Sequence, residues 1–156
     1  MATANRIQLS TDIKPEYYRE GTTKEQSERV STLLTKNHDR HDIFFKPGGL
    51  HNHIAHHLLT LHALNASTVQ IQKNYDINEE YQRAQPDIKE DVLKELSDPA
   101  VFLKNLTPRE NYHTFLQFFR DEIEKFGWQD VLQNYVFAGD ERAEAMFVRL
   151  FAVWNE

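Results

Sequence analysis

Along the chain, apolar residues recur at spacings of three and four, and nowhere alternate with polar ones over the length of a strand. Three-and-four spacing is one face of a helix, whereas alternation marks a half-buried strand, so the pattern predicts an all-α fold. It resolves into an irregular bundle of about six to eight helices with no β-sheet. Residues 1–15 are polar and nearly patternless, which predicts a flexible arm, with a helical domain over 16–156. A Glu-, Gln- and Lys-rich stretch over 22–36, closed by Val30, Leu33 and Leu34, is an amphipathic helix. The connection over 37–49 holds Phe44 and Phe45, expected to fold back onto the core, and the turn Pro47-Gly48-Gly49. A helix over 50–64 follows. Ser67 and Gln70 have capping-box spacing and open a helix to about 81. Asp87 and Glu90 repeat that spacing for a helix ending near 96. Asp98-Pro99 and Thr107-Pro108 each place a cap residue before a proline suited to the first helical position. They open a short helix through 103 and the strongest helix, to 126, where Gly127 ends it. Residues 128–137 are helical again, Gly139 interrupts, and Asp140 caps a last helix.

That last helix carries Ala145, Met146, Phe147, Val148, Leu150, Phe151, Ala152, Val153 and Trp154. A helix apolar nearly all round is buried nearly all round. Cover over 143–154 is therefore expected, either from a second copy in a homo-oligomer or from a continuation of the chain.

Composition narrows the chemistry. A net charge of −6 disfavours a nucleic-acid surface, which needs clustered Lys and Arg, and an anionic membrane surface alike. With no cysteine, zinc–thiolate sites, iron–sulfur clusters and thiol nucleophiles are excluded. No apolar run is long enough to span a bilayer and no signal peptide is visible, which predicts a cytoplasmic protein. There is no dinucleotide fingerprint, flavin motif or phosphate-binding loop.

The candidate chemistry lies in His51-Asn52-His53-Ile54-Ala55-His56-His57, which holds four of the eight histidines. At roughly 100° per helical residue, His53, His56 and His57 share one arc, with Thr60 and Leu64 further along it and His51 and His62 opposite. Leu50, Ile54, Leu58 and Leu61 flank the arc, so the imidazoles are expected to be buried with the helix. A buried imidazole must be hydrogen-bonded or bind a metal, because an unsatisfied buried group costs about 1–3 kcal/mol. The i, i+4 pair His53 and His57 has the spacing that delivers two ring nitrogens to one ion. His56 is then a further ligand or a donor behind the ligands, with His51 and His113 as reserves. The same residues also suit a hydrogen-bonded polar core without metal, and the Glu of a zincin helix is missing. Glu122, His38 and His41 are further ligand candidates. The last two stand among Asp39, Arg40 and Asp42 and read as solvated. Phe115, Phe118, Phe119, Ile123 and Phe126 form a stripe that reads first as core.

Asn37-His38, Ile43-Phe44-Phe45, the run from Leu50 through Leu61 and Ala63-Leu64 together resemble the N-terminal region of the questin oxidase-like family. Phe115-Leu116-Gln117-Phe118-Phe119, Glu122-Ile123, Gly127-Trp128 and Gly139-Asp140-Glu141-Arg142-Ala143 resemble it too, so the likeness covers about residues 37–151. It implies an all-helical oxidoreductase that oxidises or ring-opens anthraquinone-like aromatic polyketides of secondary metabolism. The resemblance further implies a Baeyer–Villiger-like reaction and a non-haem iron held by histidines and a carboxylated lysine. His53 and His57 would be two iron ligands, the partner a small aromatic substrate, and binding would weaken below about pH 6 as histidine protonates. Asn65 stands where the family pattern has glycine. A second histidine helix and a long C-terminal region are expected beyond Phe151, whereas this sequence ends at Glu156. The chain therefore reads as the N-terminal part of a larger oxidoreductase fold with an incomplete site. The alternative is a non-catalytic helical metal-binding or interaction module with a structural histidine cluster.

Overall fold

The computed structural model describes residues 3, 6–46 and 50–152, of which 149–152 are described as backbone alone. Pro47-Gly48-Gly49, Val153 and Trp154 lie outside the described residues. The fold is all-α: among the described residues the only β pairing is three isolated bridges, Thr3 with Arg6, His41 with Ala84 and Phe44 with His51. The helical region forms two compact units, Met1–Gln85 and Pro86–Glu156.

In the first unit α1 (Lys24–Arg40), α2 (Ile54–Ala63) and α3 (Thr68–Glu79) pack pairwise. Ser67 and Gln70 close a reciprocal capping box at the start of α3, as their spacing predicts, and Thr23 and Gln26 do the same for α1, where none was expected. Val30, Leu33, Leu34, Ile54, Leu58, Ile71 and Tyr75 fill the core. The polar start of the chain is not wholly a free arm. Ile7 N–H donates to Thr35 Oγ1 at 3.3 Å and Leu9 N–H to Ser31 Oγ at 2.8 Å, and both side chains pack on the core. Four helical residues rise about 6 Å, close to the span of two extended residues, so alternate amides of the segment meet successive turns of α1. α1 runs a turn past the predicted end at 36, which draws His38 into its last turn and sets His41 as its C-cap.

The second unit contains α4 (Glu90–Glu95), α5 (Pro99–Asn105), α6 (Tyr112–Phe126), α7 (Trp128–Tyr135) and α8 (Glu141–Ala152). Phe102 is fully buried among Phe115, Phe118, Phe119 and Tyr135, with ring centroids 5.0–6.2 Å away, so the aromatic stripe is core up to Ile123, while Phe126 at its end is exposed. Asp98 caps α5 by accepting from Ala100 and Val101 N–H, and Asp140 accepts from Ala143 N–H at 2.9 Å to open α8. Gly127 and Gly139 take φ of 84° and 68°, the left-handed region that glycine tolerates. Two predicted starts differ. Asp87 does not cap α4, whose N-cap is Lys89, with Lys89 N–H bonded to Thr114 Oγ1. Thr107-Pro108 leads into a 3₁₀ turn, Arg109–Asn111, before α6, with no side-chain cap. On α8, Ala143 is buried while Phe147 and Val148 are 57% and 62% exposed, so this helix does present uncovered apolar surface.

Candidate functional site

The histidine helix begins at Ile54, four residues later than its periodicity predicts, because 50–53 belong to a bridged loop. Phe45 N–H donates to Leu50 O at 3.0 Å and Asn52 N–H to Ile43 O at 2.7 Å, which pairs 43–45 with 50–52. Phe44 is buried beneath it, as expected for a loop that folds onto the core. Asn52 locks this corner. Its Nδ2 donates to Asn37 Oδ1 of α1 at 2.8 Å, and its Oδ1 accepts from Ile54 N–H at 2.9 Å, which satisfies an otherwise orphan amide at the start of α2.

The later start changes which imidazoles are buried. His51 and His53 precede the helix and are exposed, His56 is exposed and His57 is half-buried. The expectation that this arc is buried is therefore corrected. The core-facing stripe is Ile54, Leu58 and His62, one residue in each turn, and His62 on the opposite side is the buried histidine. His62 Nε2 lies 2.9 Å from Ser27 Oγ, and burial pushes its imidazole below the ordinary value of 6.5, so the ring is neutral at neutral pH.

Around the open arc stand residues that the sequence alone does not single out. Phe45 meets His53 edge-on at 6.4 Å and Tyr81 at 5.3 Å, while His53 and His56 are 6.0 Å apart. Asn78 Nδ2 donates to His57 Nδ1 at 3.2 Å and to Asn74 O at 2.7 Å, and the Tyr81 hydroxyl donates to Asn78 Oδ1. The arrangement is a partly wet patch of three imidazoles with an aromatic wall. The only advance signal for Asn78 and Tyr81 is their place at the end of α3.

The other candidates are engaged separately. His113, in the second unit, donates Nδ1–H to Pro86 O at 2.6 Å, which leaves its Nε2 the lone pair. Glu122 accepts from the Tyr135 hydroxyl at 2.9 Å; burial and this carboxylate push Tyr135 up to about 12. His41 is not solvated as its charged neighbours suggest. Its side chain is 11% exposed, 3.9 Å from Glu79, and burial holds its pKa below 6.5. Glu79 anchors a polar cluster with Lys36 at 2.7 Å and the Tyr75 hydroxyl at 3.1 Å. Burial opposes ionisation of Glu79, but the Lys36 and Tyr75 hydrogen bonds and the Lys36 charge together outweigh it and hold its pKa below the ordinary carboxylate range. Among the described residues no group of three His, Asp or Glu could hold a metal ion, and no helix is long and apolar enough to cross a membrane.

An all-helical chain with an imidazole patch backed by aromatic rings, and without thiols, defines a class of helical, histidine-bearing protein. Comparison with known sequences makes it specific. The family model described as questin oxidase-like matches residues 50–154, and the chain belongs to that family. It is 37% identical over 150 residues to a Baeyer–Villiger oxidase of Pestalotiopsis fici, covering 96% of this chain and 34% of that one. It is 33% identical over 151 residues to a questin oxidase of Aspergillus terreus, covering 97% and 34%. With a Baeyer–Villiger monooxygenase of a Cryptosporiopsis species the identity is 41% over 119 residues, covering 76% and 27%. The chain thus spans about a third of the length of the curated relatives it matches.

The iron implied by the family can be tested against the donor set. His53 and His57 stand one turn apart, with His57 N–H bonded to His53 O at 3.0 Å. Two histidines one turn apart are at most half of a ligand set. Among the described residues nothing supplies the other half.

Proposed function

We propose that this chain is the helical N-terminal portion of a questin oxidase-like oxidoreductase acting on a small, flat aromatic substrate of the anthraquinone type, by oxygen-dependent oxidation or ring opening. The observation that supports it is the open face at the start of α2, where His53, His56 and His57 stand beside Phe45 and Tyr81 instead of being absorbed into the core. His53 and His57 are the imidazoles that would hold a non-haem iron, with His56 and His51 next to them. A metal bound there would supply open coordination positions for dioxygen. Asn52 and the bridged loop hold His53 at the mouth of the helix. The edges of Phe45 and Tyr81 give a flat ring a surface to lie against. The remaining ligands come from groups other than the described residues, in a second copy or elsewhere.

The absence of a third ligand among the described residues favours a second reading, a non-catalytic module with the same histidines. Metal analysis separates the two. Purified chain loaded anaerobically with ferrous ion at pH 7.5 is expected to retain iron at one per chain or one per two chains. His53→Ala and His57→Ala are each expected to lose it while keeping their helical circular dichroism. One ion per two chains identifies a site shared between copies. No retained iron in the unsubstituted chain overturns the reading in which copies of this chain complete the centre by themselves.

A further inference from the structure

We infer that Asn78 is the positioning residue for His57 and fixes which ring nitrogen carries the proton. The inference rests on the reading of His57 as a ligand and extends it. A carboxamide can usually be turned over without changing its shape, but here its neighbours forbid it. Asn78 Nδ2 lies 2.7 Å from Asn74 O, a carbonyl that only accepts, so the amino group must be on that side. The opposite edge takes the Tyr81 hydroxyl on Oδ1. The second amino hydrogen is then the one that meets His57 Nδ1 at 3.2 Å. His57 Nδ1 therefore accepts, and the neutral ring carries its proton on Nε2.

This is the reverse of what a metal ligand needs. A histidine that binds an ion through one nitrogen donates the N–H of the other to an oxygen, which fixes the tautomer and raises the basicity of the ligating atom. His113 already has that arrangement, with Nδ1–H on Pro86 O. His57 has an N–H facing its Nδ1 instead. For Nε2 to offer a lone pair, the proton must sit on Nδ1, and Asn78 must turn its oxygen there and give up Asn74. Cation binding at His57 is thus coupled to Asn78, which holds the empty ring in the tautomer that presents a hydrogen-bond donor.

The test uses the whole chain at one fixed pH of about 7.5. Long-range proton–nitrogen correlation spectra report the tautomer of His57 directly. The unsubstituted chain is expected to show a proton on Nε2, and Asn78→Asp, whose carboxylate accepts from Nδ1–H, is expected to move it to Nδ1. With zinc alone as the probe, Asn78→Asp is expected to bind about tenfold or more tighter, the scale on which groups behind a ligand act. Asn78→Leu, which brings no charge, is expected to gain less than Asn78→Asp but still to exceed the parent. A parent ring protonated on Nδ1 overturns the inference even if zinc binds. An unchanged tautomer in Asn78→Asp overturns it as well. Tautomers as stated with no zinc binding in any variant uphold the role of Asn78 and remove the metal reading of His57.

Discussion

Replacing Ser27 by Ala should loosen the first unit by more than replacing its partner His62 by Leu, although both changes delete the same hydrogen bond. Ser27 and His62 are 2% and 7% exposed, and Ser27 Oγ lies 2.9 Å from His62 Nε2. Ser27→Ala leaves a buried imidazole nitrogen with no partner, a penalty of about 1–3 kcal/mol. Alanine is the better helix former and returns about 0.5 kcal/mol within α1, for a net loss of about 0.5–2.5 kcal/mol. His62→Leu is different. The Ser27 hydroxyl keeps its second partner, Thr23 O at 3.2 Å, and an apolar side chain takes a place on the Ile54–Leu58 stripe. The unit has 85 residues, so its total stability is of order 4–13 kcal/mol and the Ser27 loss is a large share of it. With a urea m-value of about 2 kcal/mol/M, the midpoint should fall by roughly 0.3–1.2 M. Both tryptophans, Trp128 and Trp154, are outside the first unit, so tryptophan fluorescence is the wrong probe. Amide hydrogen exchange of α1 and α3 against urea is the right one. A midpoint for Ser27→Ala equal to or above that of His62→Leu would refute the reasoning.

Two further outcomes follow from groups in the same unit. Burial holds both His62 and His41 below their ordinary 6.5, so the unfolded chain takes up protons that the folded chain resists. Stability is then full above pH 6.5 and drains as pH falls towards each folded value, by at most about 1.4 kcal/mol per pH unit per histidine. A melting temperature for α1–α3 lower at pH 5.5 than at pH 8 checks this, and a level profile across that window contradicts it. Asn65, at φ 59°, donates to Glu20 O at 2.9 Å and accepts from Gln26 Nε2 at 2.9 Å. Asn65→Ala should cost about 2–3 kcal/mol, from two lost bonds plus left-handed strain. Asn65→Gly, which loses the same two bonds but brings no left-handed strain, should cost about half as much, and urea midpoints rank the two.

The helices and their ends were largely legible because caps are local chemistry. Ser67, Asp98, Asp140, Gly127 and Gly139 each act where their spacing places them, and the aromatic stripe of α6 is core except at its exposed end, Phe126. The misreadings share one cause, which is tertiary contact reassigning a residue that local spacing had placed elsewhere. Residues 50–53 continue the helical spacing of α2, yet the backbone pairing of Phe45 with Leu50 and of Ile43 with Asn52 keeps them out of the helix. His41 sits in a charged run, yet the Ala84 bridge and Glu79 bring it inside. Asp87 has capping-box spacing, yet Lys89 is the N-cap of α4 and Thr114 takes up its amide. Asn52 and Asn78, which bond to the bridged loop and to His57, carried almost no signal: Asn52 stands in the histidine run without an assigned role, and Asn78 only near the end of α3. A carboxamide's role depends on partners tens of residues away, and neither residue type nor periodicity encodes that.

The histidines themselves divide by what the fold asks of them. His62 is explained by structure alone: it is buried, paired with Ser27 and shares the core stripe of α2. His53 is not. It occupies the N-cap of α2 without making a side-chain cap hydrogen bond, at a position where Ser, Asp or Asn stabilises a helix by about 1 kcal/mol. It is exposed, so it adds little to the core, and Asn52 has already taken over the Ile54 amide. A helix start that forgoes its best-capping residues in favour of an imidazole, next to two more imidazoles and an aromatic edge, breaks a local rule with no compensating gain in stability. Departures of that kind are expected where a chain is shaped by a ligand and not by its own folding. The energetic argument therefore separates the histidine that builds the helix from the ones that the helix carries.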